Sequence, residues 1–188
     1  MNFDFLKEQD GYYDLFADAC LEAEKIFATS PAMCAVGCRK ALELAVKWVY
    51  AADSSISMPY KDNLASLLHE YSFKQCVDER VWRPLIGVNK LGNLSVHTDR
   101  RVTASDAMIS LRSLFNFVDW IDYCYGKNYY ERTFDEKKVP LQGVPLTRSQ
   151  IAAIKAQGAI VAQKDKDIEK LEAQLKEMSD QLATERAR

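Results

Sequence analysis

The sequence predicts an all-α protein, in which a helical bundle is followed by a long coiled-coil helix. Through most of residues 11–126 the apolar side chains recur at three- and four-residue steps, which is the period of an amphipathic helix. No stretch alternates with a period of two for long enough to indicate a sheet. A seven-residue repeat follows near the end of the chain. We therefore expect a bundle at residues 1–126, a linker at 127–146 and the coiled-coil helix at 147–188.

Two helices are predicted in the first third of the chain. From Gly11 to about Ala28 apolar residues are interleaved with acids, a pattern typical of an amphipathic helix. Ser30 and Pro31 then supply an N-cap and a first-turn proline for a second helix. This second helix continues without a break to Asp53, and it is apolar enough to lie at the centre of the bundle.

A short third helix and a longer fourth one are expected next. Either Asp62 or Asn63 can cap the short helix, which extends to about Tyr71. The fourth predicted helix covers about residues 78–97. Pro84 is expected either to start this helix or to kink it, because proline lacks the backbone N–H that a helix interior requires.

The fifth predicted helix has the widest apolar face in the chain. Thr103 or Ser105 can cap it, and Gly126 is expected to stop it. The following linker is rich in charged and aromatic residues and contains two prolines and a glycine, so we expect it to pack partly on the bundle.

The coiled-coil prediction depends on a strict heptad. Thr147 and Gln150 form a capping-box pair at its start. The repeat is still running at Arg188, so the sequence predicts a longer natural chain that is cut within a coiled coil. The apolar positions that recur every seven residues are Ile154, Val161, Ile168, Leu175 and Leu182, with Leu171 and Met178 between the last of them.

Bulk composition restricts the function. The 188 residues carry a net charge of −2, so we do not expect the broad positive surface of a dedicated DNA-binding protein. The chain shows neither a signal peptide nor a membrane span, which predicts a cytoplasmic protein without a membrane partner. The five cysteines are odd in number and lack C-x-x-C spacing, so reduced core residues are expected rather than disulfides or a metal site.

The most distinctive local sequence is Val88-Asn-Lys-Leu-Gly-Asn-Leu-Ser-Val-His97, on the fourth predicted helix. Lys90, Asn93 and His97 share one face of that helix. Gly92 falls instead in the middle of the apolar stripe. Glycine costs about 1 kcal/mol relative to alanine in a helix, so we expect Gly92 to allow close packing against the helix that follows residues 98–102.

The Lys-x-Gly-Asn-x-x-Val-His pattern, preceded by Trp-Arg-Pro-Leu, resembles the N-terminal accessory domain of type I restriction enzyme R subunits. This resemblance covers about residues 1–145. It implies a non-catalytic interaction domain, whose partners are the remaining domains of the R subunit and its modification and specificity subunits. It also implies that an absent C-terminal part uses ATP and Mg²⁺ to translocate along DNA and cleave it, while the present segment binds no cofactor. DNA would be contacted through the full complex, and the heptad allows a homodimer.

The same helix also resembles, more distantly, the HEPN superfamily, whose ribonucleases use an arginine, a polar residue, three spacers and a histidine. Asn93 and His97 match the polar residue and the histidine, and this gives an alternative function as a ribonuclease or nucleotide-binding domain. Gly92 occupies the place of the arginine, so the electrostatic half of that chemistry is missing.

A second alternative is an auxiliary DNA-contacting module that uses Lys90, Arg100 and Arg101. Nearby acidic residues dilute this positive charge, which favours a solvated face of ion pairs instead. The preferred hypothesis is therefore a helical interaction domain without catalytic residues of its own.

Overall fold

The computed structural model describes residues 1–8, 10–97 and 102–141, together with single residues 152, 156, 163 and 170. This part contains no strand, and its α-helices confirm the predicted all-α bundle. The helices are α1 (Asp14–Lys25), α2 (Pro31–Ala52), α3 (Leu64–His69), α4 (Tyr71–Cys76), α5 (Glu79–His97) and α6 (Ala104–Tyr125), with short 3-10 helices at Asp4–Lys7 and Glu136–Lys138.

The predicted coiled coil and the predicted truncation lie outside the described residues, apart from four isolated helical positions. Both stay predictions. The described chain accordingly ends at Leu141, inside the segment that the sequence predicts to be a linker.

Helix α2 lies at the centre of the bundle, as its sequence predicts. It packs against α1, α5 and α6, and only Lys40 and the last two alanines of its 22 residues are exposed. The Ser30 hydroxyl accepts a hydrogen bond from the Met33 backbone N–H at 3.3 Å, which confirms the predicted N-cap. Gly37 lets α1 approach closely, because a Cβ atom there would lie 3.1 Å from Ala23 Cβ.

Trp48 of α2 joins three parts of the core. Its ring meets Tyr12, Tyr13 and Phe16 at or next to α1, and Tyr125 at the end of α6, with centroid distances of 5.2 to 6.0 Å and steep interplanar angles. Edge-to-face aromatic pairs of this kind add about 0.5–1.5 kcal/mol each beyond their buried area. The indole N–H also donates to the Tyr12 carbonyl at 3.1 Å, so this ring fixes α1 and α6 on the central helix.

The region between α2 and α5 holds two helices where the sequence predicted one. Asn63 caps α3 by accepting from the Ser66 N–H at 2.8 Å, which decides between the two predicted caps. The chain then leaves helical geometry at Glu70, which accepts from the Ser72 N–H and so begins α4. Tyr71 therefore starts a separate helix, because the side chain of Glu70 competes locally for backbone donors.

Pro84 lies inside α5, which begins at Glu79, so the first of the two expected alternatives, that proline starts this helix, is excluded. Thr103, rather than Ser105, caps α6 and forms a capping box with Asp106. Gly126 ends α6 as predicted, in an extended conformation with φ −72° and ψ 151°. Glycine is required there because a Cβ atom would collide with the carbonyl and carboxylate oxygens of Asp122.

Residues 127–141, which we call the strap, run back over the bundle. Val139 is 1% exposed, and the Phe134 ring lies 5.6 Å from the Phe115 ring of α6. The expected partial packing of the linker on the bundle is thus present in its described portion.

The cysteine prediction held only in part. Cys20, Cys34 and Cys38 are buried, and burial raises the pKa of Cys38 well above its usual value. Cys76 and Cys124 are exposed instead. They lie near the ends of α4 and α6, where the helical faces leave the core.

Removing the strap should weaken the bundle without changing its helices. A chain of residues 1–126 loses Arg132, whose guanidinium is paired with the fully buried carboxylate of Asp122. Breaking a buried ion pair costs about 3–5 kcal/mol, so urea denaturation should show a loss of that size relative to residues 1–141. Equal stability of the two chains would contradict a structural role for the strap.

Candidate functional site

The predicted motif lies on α5, between the central helix and solvent. Lys90 is exposed, Asn93 is half-buried and Gly92 is buried. His97 is the last residue of α5, but its side chain lies outside the described part of the chain, as do Arg100 and Arg101. The structure therefore places Lys90, Gly92 and Asn93 on α5, and the functional roles predicted for this motif stay predictions.

Gly92 packs against α2. A Cβ atom at this position would lie 2.7 Å from Arg39 Cδ and 3.0 Å from Arg39 Cγ, well inside contact distance. The prediction that Gly92 admits the helix after residues 98–102, which is α6, was wrong. The reason is geometric: α5 packs on both α2 and α6, and the stripe position of Gly92 falls on the side of the central helix.

Arg39 is a buried cation with polar partners from two helices. Its side chain is 8% exposed, and its Nε–H donates to the Asn89 Oδ1 of α5 at 3.1 Å. Its Nη1 lies 3.6 Å from a carboxylate oxygen of Glu43, which in turn accepts from Lys47 at 2.9 Å. The aliphatic part of the side chain covers Gly92, while the guanidinium fixes α5 on α2 in one register.

Sequence reasoning missed Arg39, although a signal was present. Ala35, Cys38 and Leu42 define the buried stripe of α2 by their three- and four-residue steps, and Arg39 falls within that stripe. A charged side chain at a core position requires a partner from a neighbouring helix. Asn89 is that partner, and its identity depends on tertiary packing.

Three arginines that could have formed a nucleic-acid surface make ion pairs in the described structure. Arg80 pairs with Asp78 at 3.1 Å, Arg83 pairs with Glu79, and Arg112 pairs with Glu136. The bonds from Arg80 hold the pKa of the Asp78 carboxyl below its usual range. These arginines thus have acidic neighbours that offset their charge toward a phosphate backbone.

A second buried polar cluster surrounds Asp122 of α6. This carboxylate is fully buried, and it accepts from the Tyr13 hydroxyl at 2.8 Å and from Arg132 Nη2 at 2.7 Å. Burial, together with the bond to Asp122, raises the pKa of Tyr13. Asp119 lies beside the same guanidinium, and burial raises its pKa despite the opposing charge of Arg132.

The described residues contain no group of three or more His, Cys, Asp or Glu side chains that could hold a metal ion. Among those same residues, no helix has the length and apolar character needed to cross a bilayer.

Most of the chain matches one known protein family. Residues 21–138 match the family described as a domain of unknown function, DUF4145, and this is more than half of the chain. The chain belongs to the DUF4145 family. The matched region runs from within α1 to the 3-10 helix of the strap, so it includes Arg39 and Arg132 with their carboxylate partners, whereas Tyr13 lies before it. No curated protein and no solved structure matches this DUF4145 chain.

Two glycines of α5 allow a matched test of the packing at Gly92. Gly92→Ala should lower the free energy of unfolding by about 1–2 kcal/mol, because overpacking against Arg39 outweighs the gain in helix propensity. Gly87 has nothing within 4 Å of an added Cβ atom, so Gly87→Ala should raise that free energy by about 1 kcal/mol. Urea denaturation of both variants measures the difference, and equal effects would refute the close approach.

Proposed function

We propose that this DUF4145 chain is a non-catalytic interaction domain that belongs to a type I restriction enzyme R subunit. Its partners would be the motor and nuclease domains of that subunit and the modification and specificity subunits. ATP-dependent translocation and DNA cleavage would be carried out by those other domains. The claim that the domain is non-catalytic rests on Gly92. This residue stands where a HEPN ribonuclease has its arginine, and the side chain of Arg39 packs over it.

The packing around Gly92 supports this interpretation. Arg39 reaches that position with its methylene groups, while its guanidinium is directed to Asn89 and Glu43. A guanidinium that stabilises a transferring phosphate must present its N–H groups to the reacting oxygens. The side chains at this joint are instead used to hold two helices together.

Absence of ribonuclease activity is the first expected outcome. Wild-type protein and His97→Ala should both leave a fluorescent single-stranded RNA at the background rate of buffer. His69→Ala is the matched control, since it removes the other histidine of the chain. Cleavage by the wild type that is lost in His97→Ala and kept in His69→Ala would contradict the proposal.

The proximity of Arg39 to the motif favours one rival function, a HEPN-like ribonuclease or nucleotide-binding domain. In that case Arg39 would supply from α2 the positive charge that Gly92 lacks, and Asn93 and His97 would supply the other two groups of the motif. The same RNA assay tests it with Arg39→Lys, which keeps a charge but loses the planar donor set. Cleavage that falls with Arg39→Lys, while Lys90→Ala is unaffected, would establish the rival.

Partner capture tests the interaction directly. The chain, immobilised through its C-terminus, should retain the separately purified motor and nuclease part of an R subunit or its modification and specificity subunits. Buffer of moderate ionic strength excludes weak surface charge attraction. If none of these subunits is retained, the result contradicts the proposed assignment to a restriction enzyme.

Self-association through the heptad is expected as well. Sedimentation should show a dimer for the 188-residue chain and a monomer for residues 1–141. Leu175→Asp introduces a charge at an apolar heptad position and should yield monomer. Lys176→Asp changes the next residue, outside the apolar positions, and should leave the dimer intact. A monomeric wild type at 100 times the concentration used for capture would exclude the coiled-coil dimer.

A further inference from the structure

The strap, residues 127–141, contacts the bundle through two buried polar anchors, two apolar side chains and more exposed contacts such as the Arg112–Glu136 ion pair. Phe134 and Val139 are the apolar contacts. The first polar anchor is Arg132, and the second is the backbone of Asp135. The regular secondary structure of the strap is limited to one turn of 3-10 helix. The contacts among α1, α2, α5 and α6 are made by residues outside the strap.

Arg132 is inserted between aromatic rings and carboxylates. Its guanidinium carbon lies 3.8 Å from the ring centroid of Phe5 and 4.1 Å from that of Tyr130. The same guanidinium also faces two carboxylates, the fully buried Asp122 at 2.7 Å and Asp119 at 3.6 Å. Cation–π contacts and the charge-assisted bond stabilise the docked position of the strap.

The same anchor is incompletely satisfied. Asp119 Oδ1 and Arg132 Nη1 are buried, and neither has a hydrogen-bond partner among the described residues. A buried polar atom left without such a partner loses its hydration without replacement. The excess negative charge of two carboxylates against one cation adds repulsion. Opening to water would relieve the desolvation cost at these two atoms, and it would offset part of the cost of separating Arg132 from Asp122.

The second anchor depends on the first residues of the chain. Asn2 Nδ2 donates to the Asp135 carbonyl at 3.0 Å, and the Asp135 N–H donates to Asn2 Oδ1 at 2.9 Å. Asn2 is itself held by the fully buried carboxylate of Glu24, which accepts from its backbone N–H and its side-chain amide. Asn2 therefore connects the strap to the buried carboxylate of Glu24 on α1.

We propose that the strap is a releasable clasp, which opens as one unit at Arg132 and Asp135 while α1, α2, α5 and α6 stay packed. Opening frees 15 residues (127–141), and an extended chain covers about 3.3 Å per residue, so the reach beyond α6 increases by up to about 50 Å. The consequence for function rests on the proposed role as an interaction domain: the closed strap keeps Val139 buried on the bundle, and the open strap lets this part of the chain extend toward a more distant partner.

Amide hydrogen exchange of the full chain, measured residue by residue by NMR, separates this opening from global unfolding. The Val139 N–H, bonded to Glu136 and 1% exposed, reports the strap. The amide of Val46, buried in α2, reports unfolding of the bundle. In the wild type, Val139 should exchange at least 100-fold faster than Val46 after correction for intrinsic rates, because partial opening requires less free energy than global unfolding.

Three variants distinguish the alternatives. Asn2→Ala acts at the Asp135 anchor and should speed the exchange of the Val139 amide by about tenfold. Arg132→Lys acts at the other anchor and should speed it at least tenfold. Thr103→Ala removes the cap at the start of α6, whereas the strap follows the end of that helix. It destabilises the open and closed forms equally, so it should speed Val46 about fivefold and leave Val139 unchanged.

Two results would overturn the clasp. If Val139 and Val46 exchange together, and Thr103→Ala speeds both, the strap opens only when the whole bundle unfolds. If neither anchor variant changes Val139, its exchange reflects local fraying. Neither result affects capture by R-subunit partners, and a failed capture leaves the exchange pattern intact, so the two proposals can fail separately.

Discussion

The structure depends most on one buried carboxylate. Asp122 has no solvent-accessible surface, and its charge is compensated by the hydroxyl of Tyr13 and the guanidinium of Arg132. Tyr13 lies at the start of α1 and Arg132 lies in the strap. Gly126, directly after α6, packs so closely on Asp122 that it leaves no room for a side chain. An uncompensated buried charge is far more costly than a lost surface contact. Asp122 therefore ties together segments that are separated by more than one hundred residues.

A second buried charge solves a different packing problem. Arg39 joins α2 to α5 where Gly92 removes the side chain that would keep the helices apart. Close helix packing normally uses small apolar residues on both sides, whereas here a long cationic side chain lies in the groove left by one glycine. The charge is tolerated because Asn89 and Glu43 lie within reach. The same arrangement explains why the motif on α5 serves helix association.

The sequence predicts what is local in this fold. The caps at Ser30, Asn63 and Thr103 could be identified because a cap requires only a side-chain acceptor a few residues before the donors. The break at Glu70 was missed, since two helices that share a boundary residue leave no gap in the apolar pattern. Arg39 and Arg132 could not be assigned roles because their partners lie 50 and 10 residues away along the chain, on elements whose packing is not encoded locally.

Arg39 and Arg132 differ in how much of the chain must move when each guanidinium leaves its partners. Arg39 sits between two long helices, so its release would require the separation of α2 from α5 and the loss of the core. Arg132 sits on a segment with little regular structure, so its release breaks the ion pair with Asp122 and the other contacts of the strap, and returns two unpartnered polar atoms to water. Buried ion pairs of similar chemistry can therefore serve as a permanent joint in one place and as a reversible one in another. The difference arises from the number of residues that must move with each guanidinium.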